Sequence, residues 1–415
     1  MPTRVQLRCF TLLLACISVS IAPRAIAQAG QLDPTFGKNG IVTTDFGDEF
    51  YLTDTATIAA AALQGDGKIV VVGGAPTPTD FSALTLARYN SDGTLDQSFG
   101  TAGLVTDKNI GVLSSIALQV DGKIVVAGSP TIDLTLVRYN SNGTLDTSFG
   151  SAGVVSFECI YCGLSVTSAL AIQSDGKILV ADGSLFRFTS TGQIDTTFGV
   201  AGVAKVAGNT PTSIKVLTGG RILVASGAVN SGYVTRYASN GTLDTTFAIH
   251  GQLPTPGGSQ MVTLGNGEFL IVGSLTSNLS GPTNGFAVSR YQGMGVVDSK
   301  FATHGGVVTP VPGYSTISPT GLGVESSGDI VVFGTATATF SNNVFALARY
   351  TSNGQLDSSF GNAGVVTTSF APAFPNATAM LIQSDDKIVV FGYSTTTLLH
   401  GMFDTNYVIA RYLAH

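Results

Sequence analysis

Tryptophan is absent from these 415 residues, and glutamate occurs only at Glu49, Glu158, Glu268 and Glu325. So few glutamates leave little material for solvated helix faces, and Ala-, Leu- and Glu-rich helical patterns are scarce. Charged residues make up 11% of the chain, too few and set in too apolar a sequence for a disordered chain. Basic clusters are missing as well, which excludes nucleic acid as a partner, because phosphates require grouped Lys and Arg. The catalytic signatures H-E-x-x-H, G-x-S-x-G and the P-loop are all absent. The lack of Trp also disfavours a strong glycan binder, since sugar sites often stack on that ring.

The first residues carry an address. Arg4 and Arg8 precede the apolar run Cys9–Ala22, and Ala25-Ile26-Ala27 supplies a small-residue cleavage site. This is the pattern of a secretory signal peptide cut after Ala27, and the run is too short for a membrane span. Lipoprotein processing at Cys16 is the rival, disfavoured because the residues after Cys16 stay apolar. The rest of the chain holds no other apolar stretch able to cross a bilayer as a helix, so a secreted, periplasmic or surface protein is expected. Loss of Arg4, Arg8 and Arg24 takes the 20 Lys and Arg to 17 against 26 acids, moving the net charge from −6 to −9.

What is present in abundance is repetition. ARYNSDGTLDQSFG (Ala87–Gly100) nearly recurs as VRYNSNGTLDTSFG (Val137–Gly150), and self-similarity of this kind decides architecture before local structure does. Three marks return seven times in fixed order. An apolar-Asp-x-x-Phe element stands at Asp33/Phe36, Asp96/Phe99, Asp146/Phe149, Asp195/Phe198, Asp244/Phe247, Asp298/Phe301 and Asp357/Phe360. A turn leading into a β-branched run begins at Asp66, Asp121, Asp175, Gly219, Asn266, Ser327 and Asp385. Arg followed by Tyr or Phe occurs at Arg88, Arg138, Arg187, Arg236, Arg290, Arg349 and Arg411.

Each unit reads as four short strands, in the first unit near 40–44, 57–64, 68–74 and 84–90, bounded by Gly, Asn, Asp and Ser. Asp92-Gly93 and Asn142-Gly143 suit tight turns that need positive φ. The reading is all-β: residues 28–415 form one seven-bladed β-propeller domain of four-stranded antiparallel blades, expected as a monomer without cofactor or metal. Ring closure also removes exposed sheet edges. The chain runs out at Ala410-Arg411-Tyr412 where a Leu-Asp-x-x-Phe element is due, and that element stands at Leu32–Phe36. The strand near 40–44 is therefore expected to pair with the one near 407–412.

The LDxxFG, DGKIVV and ARYNxDGxLD elements resemble the delta-60 repeat family of bacterial β-propellers, over essentially the whole chain after residue 27. Ala248 and Ala302 depart by replacing the Gly after Phe, as do Gly267-Glu268 and Gly328-Asp329 at the Gly-Lys turn, and Arg221 replaces Lys in the fourth unit. The resemblance implies an exported bacterial propeller with no established activity, and it supplies no catalytic residues.

In six units Arg precedes Asp by eight residues: Arg88 and Asp96, Arg138 and Asp146, Arg187 and Asp195, Arg236 and Asp244, Arg290 and Asp298, Arg349 and Asp357. The seventh pair, Arg411 and Asp33, would meet only across the seam. Constant spacing across a turn points to a charge-assisted hydrogen bond pinning each inter-blade connection, with Phe plugging the gap between blades. A ring of seven ligand sites is the less economical alternative, because a residue needed in every blade is most simply a building part. Asn90–Asp96 has a passing likeness to a calcium loop, but the unit at Thr189–Gly192 lacks the ligands and the bidentate Glu is missing.

Cys159 and Cys162 are the only cysteines after residue 27, and a local disulfide is expected in an exported chain. No helical pattern follows them to make a redox pair, and a zinc site lacks two further ligands. His250 and His304 share one repeat position and read as solvated turn residues.

Alternation of direction places the third-to-fourth strand loops of each unit on one face and the Asp-Gly-Lys and LDxxFG turns on the other. Those loops are long in units one (Ala75–Ala83), five (Ser274–Gly285), six (Thr335–Val344) and seven (Tyr393–Asn406). Variable loops on a rigid scaffold commonly carry binding, and Tyr393, His400, Phe403 and Asp404 offer the richest mixture of aromatic and polar groups. The function expected is an exported binding or scaffold propeller that contacts a protein or surface glycan through this face. A hydrolase or lyase with its site at the axis is the alternative.

Overall fold

In the computed structural model, the described residues are 28–45, 56–77, 80–131, 133–158, 169–208, 210–228, 231–255, 258, 260–273, 284–338, 342–397 and 403–415. Residues 1–27, where a signal peptide is expected, and Cys159, Cys162 and His400 lie outside them. Every element assigned is a strand, and the strands form seven four-stranded antiparallel sheets. Blade one comprises Thr57–Leu63, Ile69–Thr77, Asp80–Tyr89 and Leu104–Asp107, from the axis outward. Blades two to six repeat this order, each in unbroken sequence. The innermost strands of consecutive blades touch one another all round the ring, blade seven meeting blade one.

Blade seven is built from both ends of the chain. Phe374–Ile382, Ile388–Thr397 and Phe403–Tyr412 supply its first three strands, and Ile41–Thr44 supplies the outermost. The register runs from Ile41 opposite Ala410 to Thr44 opposite Tyr407, so the ring closes as the seam in the sequence predicts. The repeat and the sheet are thus offset by one strand: the first strand of each sequence unit is the outer strand of the preceding blade. Such an offset makes every blade boundary covalently continuous, which ties neighbouring sheets together.

The β-branched second strands are buried on both faces because each sheet is sandwiched between two others. Ile69, Val70, Val71 and Val72 are all fully buried, packing alternately toward blades seven and two. Seven hydrophobic clusters result, each shared by adjacent blades. The seven repeat phenylalanines are also fully buried. At Gly143 (φ 87°) an added Cβ would lie 3.0 Å from the Phe99 ring, so this turn glycine lets the next blade close over the aromatic side chain.

Candidate functional site

The face that carries the Asp-Gly-Lys turns is uniform. The Arg88 guanidinium donates from Nε to Asp96 Oδ2 at 2.8 Å and lies 4.6 Å from the centroid of the Phe99 ring. The other Asp96 oxygen accepts from the backbone and hydroxyl of Ser98, at 3.0 and 2.7 Å. Arg88 Nη1 reaches across to the Ser141 carbonyl of the next blade's turn. All seven units repeat the pair and the ring contact, with Nε to Oδ2 distances of 2.7–2.9 Å. At the seam, Arg411 pairs with Asp33 at 2.9 Å and donates to the Ser91 carbonyl of blade one. The eight-residue spacing works because Arg sits on the third strand and Asp follows the tight turn leaving it, so the chain folds back beside its own guanidinium.

Lys68 adds an ammonium 2.8 Å from Asp96, and Lys123, Lys177 and Lys387 do the same for Asp146, Asp195 and Asp33. Lys68, followed by the Ser98 hydrogen bonds, holds the Asp96 carboxyl well below the usual carboxylate range despite burial. Burial would raise Asp146 and Asp195, but hydrogen bonds from Ser148, Thr197 and the lysines outweigh it and keep both well below that range. With its polar atoms engaged and its ring buried, this constellation is an inter-blade clamp. The calcium-like stretch is likewise consumed by its own turn, with Asp92 Oδ1 accepting from the backbone and hydroxyl of Thr94. His250 and His304 are exposed turn residues with φ of 50° and 57°, a left-handed conformation shared by Ala at this position in other units.

The opposite face is uneven. The loops expected in units one, six and seven are largely strand, because β-branched and aromatic residues such as Tyr393-Ser394-Thr395-Thr396 continue the ladder. The hairpin of blade seven is paired from Ile388–Tyr412 to Thr397–Phe403, and those of blades one and six reach Thr77–Asp80 and Thr337–Asn343. Blades two and three stop at Gly128–Thr135 and Asp182–Ser184. Inner strands follow the same division: Thr316–Val324 and Phe374–Ile382 have 9 residues each, whereas Ser115–Leu118 and Ala169–Ile172 have 4. Blades six, seven and one are consecutive and form one raised sector; the blade-four ladder reaches Ala228–Ser231, and residues 274–283 of the long loop expected in unit five lie outside the described residues. Beside the low sector, buried Asp182 accepts from Ser129 at 2.6 Å and joins blades two and three.

Within the raised sector Tyr393 is half-buried opposite Tyr407, and Asp404 stands opposite Thr396. An odd offset along the hairpin puts Tyr393 and Asp404 on opposite faces, so the structure does not bring these two together. Tyr407 is fully buried and donates to the Gly74 carbonyl of blade one at 3.3 Å. Asp404 accepts from Asn406 at 2.9 Å. Phe403 is placed as the first residue of its strand, pairing with Thr397.

Two features escaped the repeat pattern. A cavity of about 510 Å³ lies on the outer wall between blades three and four, lined by Val200, Val203, Val206, Tyr237 and Leu243 among others. Glu325 stands where Gln119 and Gln383 accept from their clamp arginines, and its buried carboxylate is 3.5 Å from Arg349. Only the misfit of Glu among Gln residues could have signalled it.

Among known proteins, a family described as a domain of unknown function (DUF5122) beta-propeller matches residues 64–99, 119–149, 173–198, 215–247 and 325–360. Each match runs from an Asp-Gly-Lys-type turn to the clamp Phe, which is the part of the repeat that holds blades together. No curated protein sequence matches the chain. Among solved structures, streptogramin B lyase is similar with a TM-score of 0.52 and 12% identity, over 89% of this chain and 96% of that one. A quinoprotein alcohol dehydrogenase-like protein from Bacteroides thetaiotaomicron matches at a TM-score of 0.44 and 16% identity, over 75% and 68%. At such identities the likeness is one of fold.

Proposed function

With the repeats of the DUF5122 beta-propeller family in five of its blades, we propose that this chain is an exported binding propeller. It takes a protein or a surface glycan on the raised sector formed by blades six, seven and one. The observation that carries this reading is the unevenness of one face among the described residues: blades six, seven and one have the longest hairpin ladders, while the clamp face stays uniform. Architecture explains what recurs in every blade, so the departures from recurrence are where a particular partner is served. The extension carries partly exposed hydroxyl and amide groups at Thr395, Thr396 and Asn406 and little charge, which suits hydrogen bonding to a polar, uncharged surface. Strand ladders hold these groups with little conformational freedom, limiting the entropy lost on binding.

Thr395 and Thr405 face each other across the hairpin, so replacing Thr396–Asp404 by Asn-Gly leaves a two-residue turn compatible with the ladder. Binding on a glycan array or to an identified protein partner should be lost in this variant, with the melting temperature nearly unchanged. Retained binding would sink the proposal. The export component has its own check, since N-terminal sequencing of chain recovered outside the cytoplasm should begin at Gln28.

A further inference from the structure

We infer that the axial channel contains a binding site for a small organic carboxylate with an apolar body, and that Lys215 is its cation. Among the seven inner strands, Lys215 is the one charged residue. Counting four residues back from each Asp-Gly-Lys-type turn, the same level is occupied by Ala62, Ala117, Ala171, Val262, Gly323 and Leu381 in the other blades. Those residues show that packing at this level is satisfied by small or aliphatic side chains. The architecture therefore has no need for an ammonium group here, in contrast to the arginines required in every unit.

The direction of the side chain follows from the ladder. Lys215 lies opposite Leu223, which packs with Met261 of blade five in one cluster. The side chain of Lys215 is thus directed toward the blade-five side of the sheet, and the residue keeps partial exposure, which on an innermost strand opens toward the axis. No carboxylate lies within ion-pair distance among the described residues. Burial pushes the ammonium below the usual lysine range. Holding an unpaired cation in apolar surroundings is unfavourable, and a monoanion arriving there would offset that cost in a medium where charge pairs attract more strongly than in water. One ammonium matches one carboxylate. The Ala, Val, Leu and Gly residues at its level would receive an aliphatic chain.

Octanoate is a suitable probe, titrated calorimetrically into the chain beginning at Gln28, with inorganic phosphate as the control anion. Saturable one-to-one binding of octanoate is expected, weakened about tenfold to a hundredfold by Lys215→Met, as expected for loss of a charged hydrogen bond. Met keeps the stem, so folding should survive, and octanoate should raise the melting temperature of the parent protein but not of the variant. Lys215→Glu should exchange the preference for octylamine. Absence of saturable binding, equal affinity in Lys215→Met, or phosphate binding as well as octanoate would each overturn the assignment.

Discussion

The two faces of this propeller are made from the same repeat, yet one is nearly identical in every blade and the other is not. On the clamp face, Arg, Asp and Phe hold the same distances from blade one to the seam. On the hairpin face, the blade-seven ladder runs on to Thr397–Phe403, whereas the blade-three hairpin turns at Asp182–Ser184. The difference follows from what each face must do. Clamp residues reach into the next blade, so any change in one disturbs two sheets. A hairpin tip touches its own blade first, and it can lengthen without moving its neighbours.

The strongest test of that contrast is Arg138→Ala. It removes the guanidinium from the buried Asp146 carboxylate, leaving Lys123 and Ser148 as its partners, and removes the donor to the Ser190 carbonyl of the next blade. A loss of about 3 kcal/mol is expected, the low end for breaking a buried pair from one side because Lys123 still faces Asp146, measurable by denaturant unfolding. A double-mutant cycle with Asp146→Ala should show strong coupling. A loss below about 1 kcal/mol would mean that the clamp is incidental to stability.

A smaller effect is expected where the clamp face itself departs from uniformity. Burial, and then the neighbouring Asp329 and Asp386 carboxylates, push Glu325 up to about 7 from an ordinary 4.5, with Arg349 pulling the other way. An acid whose folded-state pKa is raised binds more protons folded than unfolded. Its contribution is fully present below pH 4.5 and is lost as pH rises through about 7. Glu325→Gln, which restores the residue used at Gln119 and Gln383, should therefore raise the melting temperature at pH 8 more than at pH 5. The gain is at most about 3 kcal/mol, or roughly 4 °C in a chain of this size. An equal shift at both pH values would refute the assignment of a buried, titrating Glu325. The smallest stability effect belongs to the hairpin face, where excision of Thr396–Asp404 should leave unfolding nearly untouched.

Much of this was legible beforehand because it is written once per blade. The eight-residue spacing of Arg138 and Asp146 encodes a local fold-back, and the displaced element at Leu32–Phe36 announces the seam partner of Arg411. The hairpins were harder to read. Tyr393–Asn406 looked like a loop because Ser, Thr and Gly interrupt the apolar pattern, although small hydroxyl residues such as Ser394 and Thr405 are buried within the ladder. Tyr393 and Asp404 therefore looked like neighbours, and strand alternation separates them. Lys215 and Glu325 are single departures from the repeat, with no second copy to draw attention to them.

The sequence alone determined the number of blades, their order and the place where the ring closes, because these depend on periodicity and on contacts between residues close along the chain. Which side chains stand together at the axis, and which blades rise above their neighbours, was decided only by the tertiary structure. Those relations join strands far apart in sequence, and their geometry follows from the packing of seven sheets around a common centre.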